Sequence, residues 1–320
     1  MKSNPLVSVL MTAYNREKYI AASIESVLAQ TLEDFELIIV DDCSNDHTVQ
    51  VAQRYTSDPR VRLITNKYNL GDYPNRNRTA QLARGRYFKF HDSDDLMYPH
   101  CLATMVRPME CELRAGFALS ISRNWPGGPC PMMLTPRVCY QREFLGTGMF
   151  MGGPACALFR TDVFHELGGF PEQGVGSDHL FWLKACARVN VLLLPADLFW
   201  YRVHAGQELN SERARYDYAI VPGEVWQALQ SPDCPLEGEE LEQAKRNWVF
   251  IVAKLTYKDL RAGRSDMAWL RLQAVGLSLK DWLHYLRRPR RNILAGTPLD
   301  GDGEFLIPDW SQYLPHSISR

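Results

Sequence analysis

The chain has 320 residues, of which 46% are hydrophobic and 23% charged, and its formal net charge is −1. This length suits one large domain, or one domain with an extension, and the composition is that of an ordinary globular protein. The near-zero charge gives no electrostatic basis for binding nucleic acid, and no apolar run is long enough to span a membrane.

The eight cysteines form no Cys-x-x-Cys pair and are scattered along the chain. A chain of this size needs no disulfide bonds to fold, so we expect all eight thiols to be reduced. Residues 1–5 lead directly into an apolar run, and we therefore expect no signal peptide. Together these observations predict a cytoplasmic protein.

Strand-like and helix-like segments alternate in the first part of the chain. Strands are predicted at residues 6–11, 35–40, 61–65 and 86–90, and helices at residues 18–30, from an N-cap at Ser44 or Asn45, and at 76–83. These strands are too apolar to have one face in water, which is typical of a mostly parallel sheet covered by helices on both faces. The sequence therefore predicts an α/β fold.

Polar residues follow three of these strands. They are Thr12, Tyr14 and Asn15 after the first, Asp41 and Asp42 after the second, and Asp92, Ser93, Asp94 and Asp95 after the fourth. Ligands of such sheets bind beyond the carboxyl ends of the strands, so we expect these side chains to share one rim. Clustered carboxylates repel each other, and a hard cation such as Mg²⁺ or Mn²⁺ would relieve that repulsion. We therefore predict that Asp92 and Asp94 face a metal and a diphosphate.

The second half of the chain begins with a stretch, residues 108–148, that is expected to be less regular. Beyond it, strands are predicted at residues 156–159, 189–194 and 199–203, and helices at residues 161–167 and 180–187. Gly168 would end the first of these helices, and Ser177-Asp178 would open the second. From residue 210 onward the pattern is helical. We therefore divide the chain into residues 1–210 and a helical C-terminal extension, residues 211–320.

Residues 279–291 combine an apolar helical face with a basic run. The face is formed by Leu279, Trp282, Leu283 and Leu286, and the run by Arg287, Arg288, Arg290 and Arg291. The segment predicts either an interfacial helix that meets anionic lipid, giving peripheral membrane association, or a helix packed on the preceding domain with a solvated basic end. We slightly prefer the second alternative.

The ordered set of motifs closely resembles the inverting family 2 glycosyltransferases. The matching pieces are residues 9–15, 26–31, 40–46, 76–77, 92–95, 167–170, 177–178 and 201–204, so that the resemblance covers about residues 7–206. It implies the GT-A fold, the Rossmann-like mixed sheet of nucleotide-diphospho-sugar transferases, followed here by the C-terminal helical extension. One Asp-x-Asp motif alone would be weak support, whereas this order and spacing are specific.

The nucleotide-sugar site that the resemblance implies comprises Thr12, Tyr14, Asn15, Asp41, Arg76, Asp92 and Ser93. Tyr14 would lie against the base, and Asp41 would accept a hydrogen bond from the N–H group of a pyrimidine. Arg76 would lie near the base or the diphosphate, the alternative being a solvated helix face. Asp92 would contact the ribose or the water shell of the metal. Asp42 would either join this site or cap the following helix.

The resemblance also implies a metal site and a catalytic base. Asp94 would ligate Mn²⁺ or Mg²⁺, and His204 would lie beside the metal or diphosphate, although a lone histidine is as often structural. Asp178 would be the general base that inverting transfer requires, and it would also be able to cap the following helix. Many relatives carry Glu-Asp here, whereas this chain has Ser177-Asp178. A second protein acid is unnecessary, because the metal stabilises the departing diphosphate.

Two further features would contribute to the acceptor side. The small residues at 152–154 permit close backbone approach and would shape the acceptor or sugar site. Trp125 would either stack on an acceptor sugar or fill a hydrophobic gap.

The function implied is metal-dependent, inverting transfer of a sugar from a nucleotide diphosphate donor, a UDP-sugar in the leading hypothesis. The acceptor would be a hydroxyl of a glycan or of a lipid-linked acceptor, in polysaccharide or glycoconjugate synthesis on the inner face of the membrane. Two alternatives stay open: a nucleotide-sugar-binding subunit without transfer activity, and a sugar-phosphate nucleotidyltransferase. The second would need a Gly- and Arg-rich loop after the first strand, where this chain has residues 12–15, Thr-Ala-Tyr-Asn.

Overall fold

An eight-stranded mixed sheet forms the centre of the fold. The computed structural model describes residues 4–121, 130–150, 152–195, 198–204, 206–207 and 212–287. The strands are β1 Val7–Ala13, β2 Phe35–Asp41, β3 Val61–Thr65, β4 Tyr87–Phe90, β5 Leu96–Met97, β6 Ala115–Ser120, β7 Met132–Leu134, β8 Ala157–Arg160, β9 Asn190–Leu194 and β10 Phe199–Trp200. The strand order of the large sheet is β3-β2-β1-β4-β8-β6-β9-β7, and β5 pairs with β10 in a separate two-stranded sheet.

Helices lie between the strands and continue beyond the last of them. They are α1 Ile20–Leu28, α2 Thr48–Gln53, α3 Asp72–Gln81, α4 Cys101–Cys111, α5 Pro136–Leu145, α6 Thr161–Glu166, α7 Ser177–Cys186, α8 Glu212–Ala228, α9 Gly238–Arg261, α10 Ser265–Val275 and α11 Leu279–Leu286. Two hydrophobic clusters, one on each face of the sheet, pack these helices against it. The predicted α/β architecture is confirmed.

The strands β1, β2 and β4 end side by side, which positions the site. The three are parallel neighbours, with β1 in the middle. Ala13 pairs with Asp41, and the amide of His91 donates to the carbonyl of Leu10. Because β1 and β2 run to Ala13 and Asp41, slightly beyond the predicted ends, the loops that follow them meet at one rim of the sheet.

Several predicted boundaries between β2 and α3 are wrong. Helix α2 begins at Thr48, and neither Ser44 nor Asn45 is its N-cap. The hydroxyl and amide of Ser44 instead donate to Asp41, which illustrates how short polar side chains compete with helix formation. Asp42 does not cap α2 either, because its carboxylate accepts hydrogen bonds from the amides of Leu70 and Gly71. Those bonds fix the turn before α3, which begins four residues earlier than predicted.

The middle of the chain is more regular than predicted. Within residues 108–148, the described part contains the end of α4, the strands β6 and β7, and all of α5. Strand β6 is buried along its whole length, but its Ala and Gly residues conceal the strand pattern. Gly116 is needed there because a Cβ atom would meet the side chain of Val189. Strand β10 ends at Trp200 rather than at residue 203.

The helical extension shares its core with the rest of the chain. Residues of α8 and α9, among them Val225, Trp248 and Val252, belong to the same cluster as β6 and α5. The ring of Trp248 packs edge-on against that of Phe144, with 6.1 Å between centroids. The division at residue 210 stays a prediction, since it falls on residues outside the described ranges. No helix in the described part of the chain is long and apolar enough to cross a membrane.

Candidate active site

The loops after β1 and β2 are tied together at the rim. Asn15, which has a φ of +54°, donates its backbone N–H to the hydroxyl of Ser44 at 2.9 Å. Its side-chain oxygen accepts from the amide of Asn45 at 2.9 Å, while Ser44 holds the carboxylate of Asp41. Asp41 is buried, and the Tyr14 ring beside this loop is 42% exposed. The loops therefore present an exposed aromatic side chain beside a fixed carboxylate.

Arg76 connects α3 to the end of β4. Its Nε donates to Asp72 at 2.8 Å and its Nη2 to Asp92 at 2.7 Å. The residue is only 8% exposed, so the alternative of a solvated helix face is wrong. Burial alone would raise the pKa of Asp92, but the charge and hydrogen bond of Arg76 outweigh burial and lower it. Arg76 thus keeps Asp92 ionised at the rim.

Asp94 and His204 lie together, although they are far apart in the sequence. The distance between His204 Nε2 and Asp94 Oδ2 is 2.9 Å. Arg16 also reaches this oxygen, with Nε donating at 2.8 Å. The other nitrogens of Arg16 donate to the carbonyls of Tyr14, Asn15 and Gly206. A carboxylate, an imidazole and a guanidinium therefore converge between the loop after β1 and the loop after β10.

Arg202 fixes the loop after β10 to the acidic run, which is formed by residues 92–95. Its backbone N–H donates to Asp95 at 2.9 Å, and its Nε to the carbonyl of Asp94 at 2.7 Å. The guanidinium also lies over the rings of Tyr19 and Trp200, at 5.1 and 4.7 Å from their centroids. This arrangement brings His204 to Asp94 and keeps it there.

The oxygen atoms of Asp94 and the ring nitrogen of His204 are suitable ligands for a divalent cation that is also bound by a diphosphate. Within the described ranges, no group of three His, Cys, Asp or Glu side chains is close enough to hold a metal alone. Magnesium is commonly held by one or two protein ligands together with substrate phosphates, and an imidazole is acceptable to Mn²⁺. The pair of Asp94 and His204 matches that requirement.

The buried side of the acidic run contains its own polar groups. Lys89 is buried in β4 and donates to the carbonyl of Ala155, with its Nζ 5.3 Å from the Phe199 ring centroid. His91 is fully buried, and burial lowers its pKa to about 3. Burial, reinforced by the charge of Asp92, raises the pKa of Asp95 to about 8. The pKa of Asp95 is thus raised, whereas that of Asp92 is lowered, although both belong to the same run.

Asp178 lies in the first turn of α7, where its Oδ1 accepts a hydrogen bond from the amide of His179 at 2.7 Å. Burial raises its pKa to about 6, and the charge of Arg76 acts in the opposite direction. The charge of Asp178 in turn contributes to the raised pKa of Tyr73 on α3. Asp178 is therefore within electrostatic reach of the ion pairs that Arg76 makes with Asp72 and Asp92.

Two of the remaining predicted residues lie at the ends of strands that form the rim. Thr12 is partly buried near the end of β1, and Ser93 is buried within the acidic run. Gly152 accepts a hydrogen bond from the indole of Trp182 at 2.8 Å, while Trp125 lies outside the described residues. Sequence reasoning missed Arg16 and Arg202. Arg16 directly follows a residue already assigned to the site, and Arg202 belongs to a recognised motif, so both signals were available.

Comparison with known proteins places this site in a family. A model described as Glycosyl transferase family 2 matches residues 8–168. The Escherichia coli protein WfaP, named UDP-Glc:alpha-D-GlcNAc-diphosphoundecaprenol beta-1,3-glucosyltransferase, is 38% identical over 221 residues, which are 63% of this chain and 78% of WfaP. The chain belongs to glycosyl transferase family 2. The first curated relatives that it matches are covered over only 22% to 40% of their own length.

Solved structures show the same fold. Staphylococcus aureus TarS, residues 1–349 in complex with UDP-GlcNAc, is 21% identical with a TM-score of 0.66, over 87% of this chain and 81% of that one. The mannosyltransferase PcManGT of Pyrobaculum calidifontis, in complex with GDP-Man and Mn²⁺, is 18% identical with a TM-score of 0.53, over 89% and 84%. The GT-A fold implied by the family 2 motifs is thereby confirmed.

Proposed function

We propose that this family 2 protein is a metal-dependent, inverting glycosyltransferase that moves a sugar from a UDP-sugar to a hydroxyl of a lipid-linked or glycan acceptor in polysaccharide synthesis. The observation that carries the proposal is the convergence of Asp94, His204 and Arg16 at the rim where β1, β2 and β4 end. The full name of WfaP specifies UDP-Glc as the donor and a GlcNAc-diphospholipid as the acceptor. That pair is therefore the first donor and acceptor to test here.

The donor would bind across the loops after β1, β2 and β4. In this proposal the exposed ring of Tyr14 stacks on the base, and Asp41 accepts from the ring N–H of uracil. Thr12, Asn15 and Ser93 line the same pocket, while Asp92 contacts the ribose. Arg76 orients Asp92 through their 2.7 Å ion pair. A preorganised carboxylate binds without first paying for its own ordering.

Asp94 and His204 would hold Mn²⁺ or Mg²⁺ together with oxygens of the diphosphate. When bound, the cation supplies positive charge that stabilises the departing diphosphate. Arg16 orients Asp94 through a 2.8 Å contact with the same oxygen, Oδ2, that lies beside His204. Its guanidinium is also a permanent cation within the same group of side chains, and it is therefore suited to diphosphate oxygens.

Asp178 would take the proton from the acceptor hydroxyl. As that proton leaves, the acceptor oxygen forms a bond to the anomeric carbon, and the bond from this carbon to the diphosphate breaks on the opposite face. A base works best with a pKa near the operating pH, and burial raises the pKa of Asp178 to about 6. The carboxylate is then mostly ionised at neutral pH and still basic enough to accept a proton.

The test uses purified protein, UDP-glucose and Mn²⁺, with and without a synthetic GlcNAc-diphospholipid. Transfer predicts acceptor-dependent release of UDP and, from the α-linked donor, a β-linked product visible in the proton NMR spectrum. Binding of UDP-glucose without turnover across a panel of acceptors would favour the nucleotide-sugar-binding subunit instead. A folded protein whose melting temperature no nucleotide sugar raises in the presence of metal would contradict the proposal.

The proposal includes peripheral attachment to an anionic membrane through α11. Trp282 and Tyr285 pack against the core, as the packed-helix alternative predicts. Leu279, Leu283 and Leu286, however, are 76%, 48% and 38% exposed on the same helix. Residues 288–291, which include the other arginines, lie outside the described residues. Sedimentation with phosphatidylglycerol vesicles tests this attachment, and Leu283→Glu should reduce it, whereas unchanged sedimentation of that variant would contradict it.

A further inference from the structure

Helix α8 of the extension lies directly behind the turn that leads into Asp178. Asp217 on α8 accepts a hydrogen bond from the amide of Val175 at 3.0 Å. A Cβ atom at Gly174 would collide with the carboxylate of Asp217, and one at Gly176 with the side chain of Val221. The two glycines therefore allow α8 to approach the turn closely, and the turn has few ways to move without α8.

Tyr218 follows Asp217 and lies at the surface beside the base. It is 39% exposed, and it is three residues before Val221, so the two side chains share the helix face that meets the turn. Burial and then the charge of Asp178 raise the pKa of Tyr218 to about 12, with a further contribution from Tyr201. The phenol is thus close enough to Asp178 to feel its charge while part of the ring remains open to solvent.

We propose that α8 completes the acceptor site, with the ring of Tyr218 packing against the acceptor sugar and Asp217 acting as the positioning residue for the turn that carries Asp178. This inference rests on the proposed function, and it assigns residues to the acceptor site, for which the family motifs supply none beyond Asp178. One face of a pyranose ring carries C–H groups, which pack on an aromatic ring, and the hydroxyl of a tyrosine remains free to bond a sugar oxygen. An acceptor held there would have its hydroxyl beside Asp178.

A second tyrosine on the same helix serves as a matched control. Tyr216 is 50% exposed, but its hydroxyl donates to Asp266 on α10 at 3.0 Å. Tyr216 and Tyr218 are two positions apart and therefore point to different sides of α8. Substitution of Tyr216 removes a more exposed ring from the same helix without touching the turn at Gly174 and Gly176.

The first experiment measures steady-state transfer from UDP-glucose to the GlcNAc-diphospholipid. Tyr218→Ala should raise the KM for the acceptor about tenfold and leave the KM for the donor unchanged, since the loss of a ring contact of about 1.4 kcal/mol corresponds to a factor of ten. Tyr218→Phe should keep most of the affinity, and Tyr216→Ala should behave as the unsubstituted protein. An unchanged acceptor KM for Tyr218→Ala, or an equal rise for Tyr216→Ala, would overturn the role of Tyr218.

The second experiment needs no substrate and so separates this inference from the proposed function. Asp217→Ala should speed hydrogen exchange at the amide of Val175, and Asp217→Asn should restore protection because its side-chain oxygen still accepts the bond. With substrates, Asp217→Ala should lower kcat about tenfold at constant donor KM, again restored by Asp217→Asn. Asp217→Asn also loses the ion pair with Arg213, but that pair is 3.7 Å long and the Arg213 side chain is 73% exposed, so its contribution should be small. Unchanged exchange in Asp217→Ala would overturn the positioning role even in a protein that transfers no sugar.

Discussion

The proposed donor rim, where β1, β2 and β4 end, and the proposed acceptor side, around Asp178, use the same residue type in opposite electrostatic surroundings. On the donor rim, Asp92 and Asp94 are each held by an arginine at 2.7 or 2.8 Å. On the acceptor side, Asp178 accepts a backbone hydrogen bond, and burial dominates its titration. The pKa of Asp92 is lowered, whereas that of Asp178 is raised to about 6. The comparison teaches that the surroundings of each carboxylate match its proposed role: permanent ionisation for contacts with a cation and ribose, and partial protonation for a base.

The comparison is tested most strongly by removing the base. Asp178→Asn should reduce transfer about a thousandfold, because the amide cannot take the acceptor proton. Calorimetric titration with UDP-glucose and Mn²⁺ should show donor binding essentially unchanged, since the donor rim is intact. Release of UDP in the presence of acceptor measures the loss.

The control for this substitution is Asp162→Asn. Asp162 also accepts a hydrogen bond from the next backbone amide in the first turn of a helix, α6, so the local geometry is matched. It should transfer sugar at the rate of the unsubstituted protein. Asp178→Asn with near-normal turnover, or with lost donor binding, would show that Asp178 is not a pure base.

Removal of the carboxylate at the cation site is the second test. Asp94→Ala should lower transfer about 10²-fold, because it withdraws one protein ligand from a cation that contributes several kcal/mol to charge stabilisation. It should also weaken Mn²⁺ binding, measured by electron paramagnetic resonance in the presence of UDP. Asp233→Ala, which removes an exposed partner of Arg188, is the control. Transfer that persists in excess chelator would refute the metal assignment.

The third test concerns the ion pairs that distinguish the donor rim. Arg76→Met would leave Asp72 and Asp92 without their cation, and we expect the free energy of unfolding to fall by about 3 kcal/mol. Urea denaturation provides the measurement. The more exposed pair of Arg60 and Asp58 is the control, and Arg60→Met should change stability by less than about 1 kcal/mol. An equal fall in the free energy of unfolding in both variants would mean that the buried ion pairs of Arg76 stabilise the protein no more than an exposed pair does.

The sequence predicted the donor rim better than the acceptor side for a physical reason. The apolar strands β1, β2 and β4 could be recognised locally, and parallel strands bring their carboxyl ends together, so the acids at 41 and 92–95 had to meet. The family resemblance then added His204 and Asp178. The predicted start of α2 was wrong because Ser44 donates a hydrogen bond to Asp41 instead of capping the helix. That bond depends on the position of Asp41 at the end of β2.

Contacts that depend on packing could not be predicted in this way. Arg16 and Asp94 are 78 positions apart, and nothing periodic in the sequence connects them. Asp217 and Val175 lie on different sides of the predicted division at residue 210, and no sequence motif connects the two segments, so their contact could not be foreseen. Lys89 interrupts an aromatic strand, and only the fold reveals that its ammonium group donates a hydrogen bond to the carbonyl of Ala155.

The pH dependence of transfer gives the smallest expected effect and distinguishes the two sides without a substitution. In the proposed mechanism Asp178 acts in its ionised form, and burial raises its pKa to about 6, so protonation should lower kcat as the pH falls through 6. At saturating UDP-glucose and Mn²⁺, kcat should be about tenfold lower at pH 5 than at pH 7. Asp92 has a lowered pKa and stays ionised over this range, so protonation of Asp92 should not weaken donor binding. A kcat that is flat down to pH 5 would contradict the raised pKa of the base, because a carboxylate with an ordinary pKa would still be ionised there.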